Sequence, residues 1–189
     1  FGMPDAREGK WMPGPGYDLF KVMKEQLGNK PVIAEDLGFL TDSVIKLVKK
    51  TKYPGMKILQ FAFDSREESD YLPYNYDRNC VVYTGTHDND TVMGWYNSLN
   101  RKDKAFAKRY LDIKSSKNVC DRMIRLALGS VADTAIIPMQ DYLELGGEAR
   151  MNVPSTLGTN WKWRMKKDAL TDELAQRIGK YAKMYGRLH

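Results

Sequence analysis

The sequence predicts an α/β fold, half of a (β/α)8 barrel, on three observations. Helical stretches alternate with short apolar runs, four of those runs read as parallel strands buried on both faces, and each run hands over to polar or acidic residues at its carboxyl end. Barrels and open doubly wound sheets both place chemistry at strand ends. An open nucleotide-binding sheet, however, calls for a glycine-rich phosphate loop after a strand, and the sequence carries neither a dinucleotide fingerprint nor a P-loop. The barrel is therefore favoured. Four strands make only half of an eight-stranded barrel, and a half-barrel has sheet edges that something must cover.

The elements follow in order. The spacing of Leu19, Phe20, Met23 and Leu27 predicts a helix over 17–27, closed by Gly28 as a left-handed cap. The first strand is "PVIAED", opened by Pro31, with Val32, Ile33 and Ala34 as its buried body and Glu35 and Asp36 at its end. Thr41 caps the next helix, which carries Val44, Ile45, Leu47 and Val48. The second strand, "GMKILQF", is entered through the turn pair Pro54 and Gly55 and ends near Gln60. The third is Val81–Tyr83, which passes through Thr84, Gly85 and Thr86 to His87 and Asp88. Around Phe106, Tyr110 and Leu111 the helical pattern is weaker. Asn118 caps a helix with Val119, Met123, Ile124, Ala127 and Leu128 on one face, ended by Gly129. The fourth strand, "TAIIPMQD", ends at Gln140 and Asp141, and a last helix near Thr171 shows Leu174, Ile178, Tyr181, Ala182 and Tyr185 at helical spacing and packs on the body.

At 189 residues and 42% hydrophobic content the chain can bury a core, and residues 1–189 are expected to form a single unit. The net charge of +6 comes from Lys and Arg scattered among acidic residues, so it marks neither a nucleic-acid stripe nor a basic tail. The Lys-rich stretch 101–117, with only Phe106 and Tyr110 as aromatics, reads as a solvated helix face rather than a binding surface. Cys80 and Cys120 suggest neither a disulfide framework nor a zinc site; a reducing, cytoplasmic setting follows, with no cofactor, no metal, no nucleic acid and no membrane partner. No apolar run approaches the ~20 residues of a membrane-spanning helix. The opening "FGMPDAREGK" has no signal layout and no initiator Met, so the chain is expected to derive from something longer.

Glu35 at one strand end and Asp88 at another are the groups that glycoside chemistry asks for: an acid to protonate a leaving oxygen, and a carboxylate to favour a developing oxocarbenium charge. Spacing alone also fits a solvated acidic loop for "AEDLG" and an Asx turn for "THDND".

Five motifs in order, "GKWMPGPG", "PVIAEDLG", "PGMKILQFAF", "LPYNYDRNCVVYTGTHDNDTVMGWY" and "QDYLELGGEARMNVPSTLGTNWKWR", closely resemble the 4-α-glucanotransferases known as amylomaltase or disproportionating enzyme, from about the first residues to Arg164. The resemblance implies an (α/β)8 barrel with inserted segments that transfers α-1,4-linked glucan segments between maltodextrins with retention, the chain supplying the carboxyl-terminal part, about strands 5 to 8. It also implies Glu35 as general acid/base and Asp88 as the carboxylate that binds ring hydroxyls of the transferred sugar, with His87 as a hydroxyl donor to that sugar. A rigid buried strand would then hold Asp88 and His87 where catalytic geometry tolerates only ~0.5 Å of play.

Gln60 and Asn75 are further hydroxyl-binding candidates, although such amides often satisfy backbone groups. Trp11, Trp95, Trp161 and Trp163 are candidate sugar platforms or core residues; of the pair in "NWKWR" one is expected to face the cleft, and Trp163 is taken as the substrate-binding one. Tyr74 stands where the family commonly has His, which puts one substrate contact in doubt.

A retaining mechanism also needs a nucleophile. The family's is an Asp two positions after an Arg, at the end of the strand before the one carrying the acid/base; Asp5 and Asp18 follow no apolar strand, so that motif is expected upstream of Phe1 and the chain alone is expected to be inactive. Its expected partners are a maltodextrin or α-glucan substrate, the amino-terminal portion of the same enzyme, or a second copy that pairs open barrel edges. An α-glucan hydrolase, or a non-catalytic carbohydrate-binding or assembly module, are the competing readings.

Overall fold

The computed structural model describes residues 5, 7–10, 12–38 and 40–188. Trp11 lies outside them. Two compact units divide the chain, Phe1–Pro54 and Gly55–His189.

The first unit holds two helices. Helix α1, Tyr17–Leu27, has the predicted bounds; Gly28 follows at φ 73° and ψ −175°, a positive-φ stop that is extended in ψ rather than a left-handed cap. Helix α2, Asp42–Thr51, follows Thr41, whose hydroxyl lies 2.9 Å from that of Ser43 and caps no backbone N–H. Phe20 meets the Tyr53 ring edge-on at 5.8 Å, and the Lys50 ammonium sits 4.2 Å over the Tyr17 ring. The expected first strand is not formed. Residues 31–37 belong to no strand, although the Ala34 N–H donates to the Pro54 carbonyl at 2.9 Å, and Ile33 is 46% exposed. A single bond is no ladder, and β propensity without a paired neighbour leaves coil.

The second unit is built on a small parallel sheet. Strands β1 (Gly55–Ile58), β2 (Cys80–Tyr83) and β3 (Thr134–Ile136) lie in that order, with Gly55 opposite Cys80 and Val81 opposite Thr134. Strands β1 and β3 are shorter than their apolar runs, while β2 takes in all of Val81–Tyr83. Leu59–Ala62 curls into a 3₁₀ turn that takes Gln60 off the strand. Pro138 stops β3's run and starts a short helix, so Gln140 and Asp141 ride a helical turn instead of a strand end.

Helices α3 (Val92–Ser98), α4 (Arg101–Tyr110) and α5 (Val119–Leu128) connect β2 to β3; α6 (Met139–Tyr142) and α7 (Asp172–Met184) follow. Thr91 and Asn100 accept backbone N–H bonds as side-chain caps of α3 and α4, and Thr171 does so for α7. Asn118 begins α5 without capping it; its Oδ1 is buried and unpaired.

The core is continuous across these elements: Leu59, Phe63, Val82, Val92, Trp95, Val119 and Met123 pack together, each fully buried aliphatic side chain contributing ~1.5–3 kcal/mol. Trp95, 8% exposed and 5.5 Å from the Phe63 ring, is core and no sugar platform. Cys80 and Cys120 are buried there and form no disulfide, and burial pushes the Cys120 thiol up to about 12. As expected, α7 packs on the body, laying Leu174, Ile178, Tyr181 and Tyr185 against Ile124, Leu128 and Tyr142. No helix among the described residues is long and apolar enough to cross a membrane.

Candidate active site

The carboxyl end of β2 carries the candidate site. Past Tyr83 the chain runs through Thr84, which is wholly buried, into a loop that ends where α3 begins at Val92. Inside the loop the Thr86 hydroxyl accepts from the Asp88 backbone N–H at 3.3 Å, an ST-type turn, and the Asn89 side-chain oxygen reaches back to accept from the Thr86 backbone N–H at 2.9 Å and from its hydroxyl at 2.8 Å. The Asx turn expected for "THDND" is thus replaced by a turn on the Thr86 hydroxyl, and that turn sets the loop that presents His87 and Asp88.

Those two residues are adjacent in space as well as in sequence, with His87 Nε2 3.4 Å from Asp88 Oδ1 and both side chains about half exposed. A second segment clamps them. Asn152 donates from its side-chain amide to Asp88 Oδ1 at 2.6 Å and from its backbone N–H to the His87 carbonyl at 3.0 Å. Arg150 donates to the Asp88 carbonyl at 2.5 Å and to the Asn152 carbonyl at 2.9 Å, so one guanidinium joins both segments.

Trp161 completes this wall. Its ring lies 5.0 Å from that of His87, its backbone N–H donates to the Met151 carbonyl at 2.8 Å, and its φ is 63°. A bulky side chain at positive φ is an outlier that the surroundings must hold in place, and such strain gathers at functional sites. The adjoining loop 153–160 is organised by Asn160, which accepts from Val153 N–H and donates to Val153 and Thr156 carbonyls, and it leaves Leu157 at 98% exposure.

A cleft of about 170 Å³ opens among His87, Asn89, Asp90, Gln140, Arg150 and Trp161. This is below the ~300–1,000 Å³ of a drug-sized ligand site. Asp90 closes one side. Its carboxylate fits against Gly94 so tightly that an added Cβ there would stand 2.4 Å away, and Gln60 donates to its carbonyl at 2.7 Å. Gly85 is what lets Gln60 pass, since a Cβ at 85 would meet Gln60 Nε2 at 2.5 Å. Beneath lies Asp141, 1% exposed, whose carboxyl is raised above its ordinary value chiefly by burial, against the opposing hydrogen bonds from Thr84 and Val92. The described residues hold no group of His, Cys, Asp and Glu arranged to bind a metal.

The structure brings His87 and Asp88 together and puts Gln60 behind them, 8% exposed with its amide nitrogen on Asp90. Asn75 lies in the 3₁₀ turn Pro73–Asn75 and donates to the Ser69 carbonyl at 3.2 Å. Trp161 lines the cleft; Trp163, half-buried, is absent from its lining. Tyr74 is exposed and reaches Glu68 at 3.3 Å. Glu35 belongs to the first unit and is exposed within the coil 31–37. Arg150, Asn152 and Asp141 escaped the sequence reading of roles. Asn152 stands in "MNVP", which follows the family pattern and was its one available signal.

A polar cluster at the carboxyl end of parallel strands, beside an exposed aromatic ring, places the chain among α/β proteins whose sites are built at strand ends. The fold is shared with Corynebacterium glutamicum amylomaltase, at a TM-score of 0.63 and 15% identity over 88% of this chain and 31% of that one. The family model described as 4-alpha-glucanotransferase matches residues 2–171, and the chain belongs to that family. It is 48% identical over 188 residues to a 4-alpha-glucanotransferase of Clostridium butyricum, covering 99% of this chain and 39% of that protein. It is also similar to an amylomaltase from Streptococcus agalactiae whose structure was determined in complex with acarbose, at a TM-score of 0.90 and 38% identity, covering 96% of this chain and 37% of that one. The chain thus spans about two fifths of the length of the curated relatives it matches.

Proposed function

We propose that the chain is the carboxyl-terminal part of a (β/α)8-barrel enzyme that transfers α-1,4-glucan segments between maltodextrins by a retaining double displacement. The observation that carries this reading is the His87–Asp88 pair, clamped by Arg150 and Asn152 next to Trp161, in a member of the 4-alpha-glucanotransferase family. Asp88 binds ring hydroxyls of the transferred sugar, with contacts that tighten as the ring distorts, and His87 donates to the same sugar. Glu35 is the general acid/base that protonates the leaving oxygen and then deprotonates the incoming hydroxyl. Trp161 offers its exposed face to the apolar side of a glucose ring, with Trp163 behind it in sequence as the second aromatic. Gln60 and Asn75 already spend amide N–H groups on backbone carbonyls, so they would meet a sugar hydroxyl through their side-chain oxygens.

The nucleophile is proposed to come from the part of the relatives' length that this chain does not span, which makes that portion its functional partner and leaves the chain alone without transferase activity. A second copy that pairs sheet edges is the alternative partner. A cytoplasmic setting is proposed, as for an enzyme of soluble maltodextrins.

The test is to mix the chain with the upstream portion and maltotriose. Glucose with longer maltodextrins is the expected outcome; glucose and maltose alone would make it a hydrolase, and binding without product a non-catalytic module. Glu35→Gln is expected to lower the transfer rate by ~10²–10⁴-fold, the usual worth of a general acid/base. In the chain alone, Trp161→Ala is expected to weaken maltoheptaose or acarbose binding about fivefold, roughly 1 kcal/mol, more than Trp163→Ala does, as read by titration calorimetry.

A further inference from the structure

We propose that Asp141 is a positioning residue for His87 and Asp88, acting as a buried brace that ties together the two ends of the loop that carries them. Its two carboxylate oxygens take one bond each from the loop's opposite ends: Oδ2 accepts the Thr84 hydroxyl at 2.5 Å, where β2 runs out, and Oδ1 accepts the Val92 backbone N–H at 2.8 Å, where α3 begins. All three residues are almost wholly buried, at 0%, 1% and 0% exposure for Thr84, Asp141 and Val92. Between the two anchored points lie Asp88 and the residues His87, Asn89 and Asp90, which line one side of the cleft.

The chemistry of this brace argues for function over stability. A buried carboxylate is costly unless cations or several donors compensate it. Among the described residues no Lys, Arg or His forms an ion pair with Asp141, and another carboxylate, Asp90, opposes its ionisation. An apolar residue here would fill the core without that penalty. What the carboxylate supplies is geometry: two acceptors on one rigid plane, 57 and 49 residues away in sequence from the donors they hold. With both ends fixed, the loop can vary only within the span between Thr84 and Val92, and the Asn152 clamp then aims the Asp88 carboxylate. A misplacement of about 1 Å is enough to cost ~10²-fold in a catalytic site.

The inference rests on the reading that His87 and Asp88 bind sugar, and the experiment separates the two. Amide hydrogen exchange is measured at Thr86, Asn89 and Val92 in the wild-type chain, Asp141→Ala and Asp141→Asn, alongside titration with maltoheptaose. Asp141→Ala is expected to speed exchange at these amides by at least about tenfold while α5 stays protected. It is also expected to lose maltoheptaose affinity by a similar factor. Asp141→Asn keeps an acceptor for Val92 and can donate to the Thr84 oxygen, so it should stay close to wild type in both. Should Asp141→Ala fail to fold, Thr84→Val, which removes one of the two bonds at nearly constant volume, is expected to give an intermediate exchange rate. Unchanged exchange in Asp141→Ala or Thr84→Val overturns the brace, as does an Asp141→Asn variant as loose as Asp141→Ala. If the wild type binds maltoheptaose and Asp141→Ala binds it equally well, the positioning role falls while the sugar reading stands. A wild-type chain that binds no maltoheptaose removes the sugar reading and the positioning role together, whatever the exchange rates show.

Discussion

Asp141 and Asp90 show how much a single side chain decides here. Burial raises the Asp141 carboxyl above the ordinary 3.8, so its contribution to folding is fully present below that value and is lost as pH rises through the raised folded-state value. Wild type should therefore gain stability relative to Asp141→Asn as pH is brought from neutral toward 3.8; melting temperatures that stay parallel across this window would refute it. Gly94→Ala sets two effects against each other. Helix propensity favours Ala by ~1 kcal/mol, but the new methyl stands 2.4 Å from the Asp90 carboxylate, and overpacking of this kind costs ~1–3 kcal/mol. The clash should win, and Gly94→Ala in an Asp90→Ala background should be neutral or stabilising, which a double-mutant thermal cycle reads directly. At this scale the sequence was informative where chemistry and a local turn coincide: "THDND" names His87, Asp88 and, through Thr86 and Asn89, its own turn. Arg150 and Asn152 reach Asp88 across 62 and 64 residues, and no local pattern announces a contact of that range.

Elements were legible to the extent that their own residues determine them. Helix α1 matches the apolar spacing from Leu19 to Leu27 at both ends, and α5 matches Val119 to Leu128. "PVIAED" failed because a strand needs a partner and its hydrophobic composition specifies none. The fourth apolar run spans two elements, since Pro138 changes a strand into a helical turn and carries Gln140 and Asp141 with it. Helix α7 is fastened by contacts that apolar spacing does not reveal. The Tyr181 hydroxyl donates to Asp121, Arg177 donates to the Tyr142 carbonyl and pairs with Glu144, and Arg187 forks onto the carbonyls of Leu128, Ser130 and Ala132 at 2.7–3.0 Å, where α5 ends. Charged hydrogen bonds contribute ~1.5–3 kcal/mol each, though not additively. Arg187→Ala is expected to lower stability by about 2 kcal/mol or more in urea unfolding, and Arg187→Lys to recover less than half of it, because an ammonium cannot reproduce the fork.

Across the whole molecule the buried core is unevenly held. Every fully buried side chain among the described residues lies at or beyond Ile58, and none belongs to 5–54. Segments with little buried apolar contact open at low free energy. Amides of α1 and α2 should exchange well before those of α3 and α5, and limited proteolysis should trim the chain to a resistant product that begins near Gly55. Comparable protection in both units would contradict this. The α/β class and the parallel strand order were legible from the alternation of apolar runs and helices, while the number of strands was not, since that depends on which neighbours each run finds.

Both native thiols, Cys80 and Cys120, are sealed in the interior, and the latter is held far from its thiolate form. A maleimide probe should therefore find almost nothing to react with on the folded chain. Leu157→Cys, at the tip of the loop beside Trp161, would then be the single fast-labelling position, giving a site-specific reporter of ligand arrival without removing any native residue of the core.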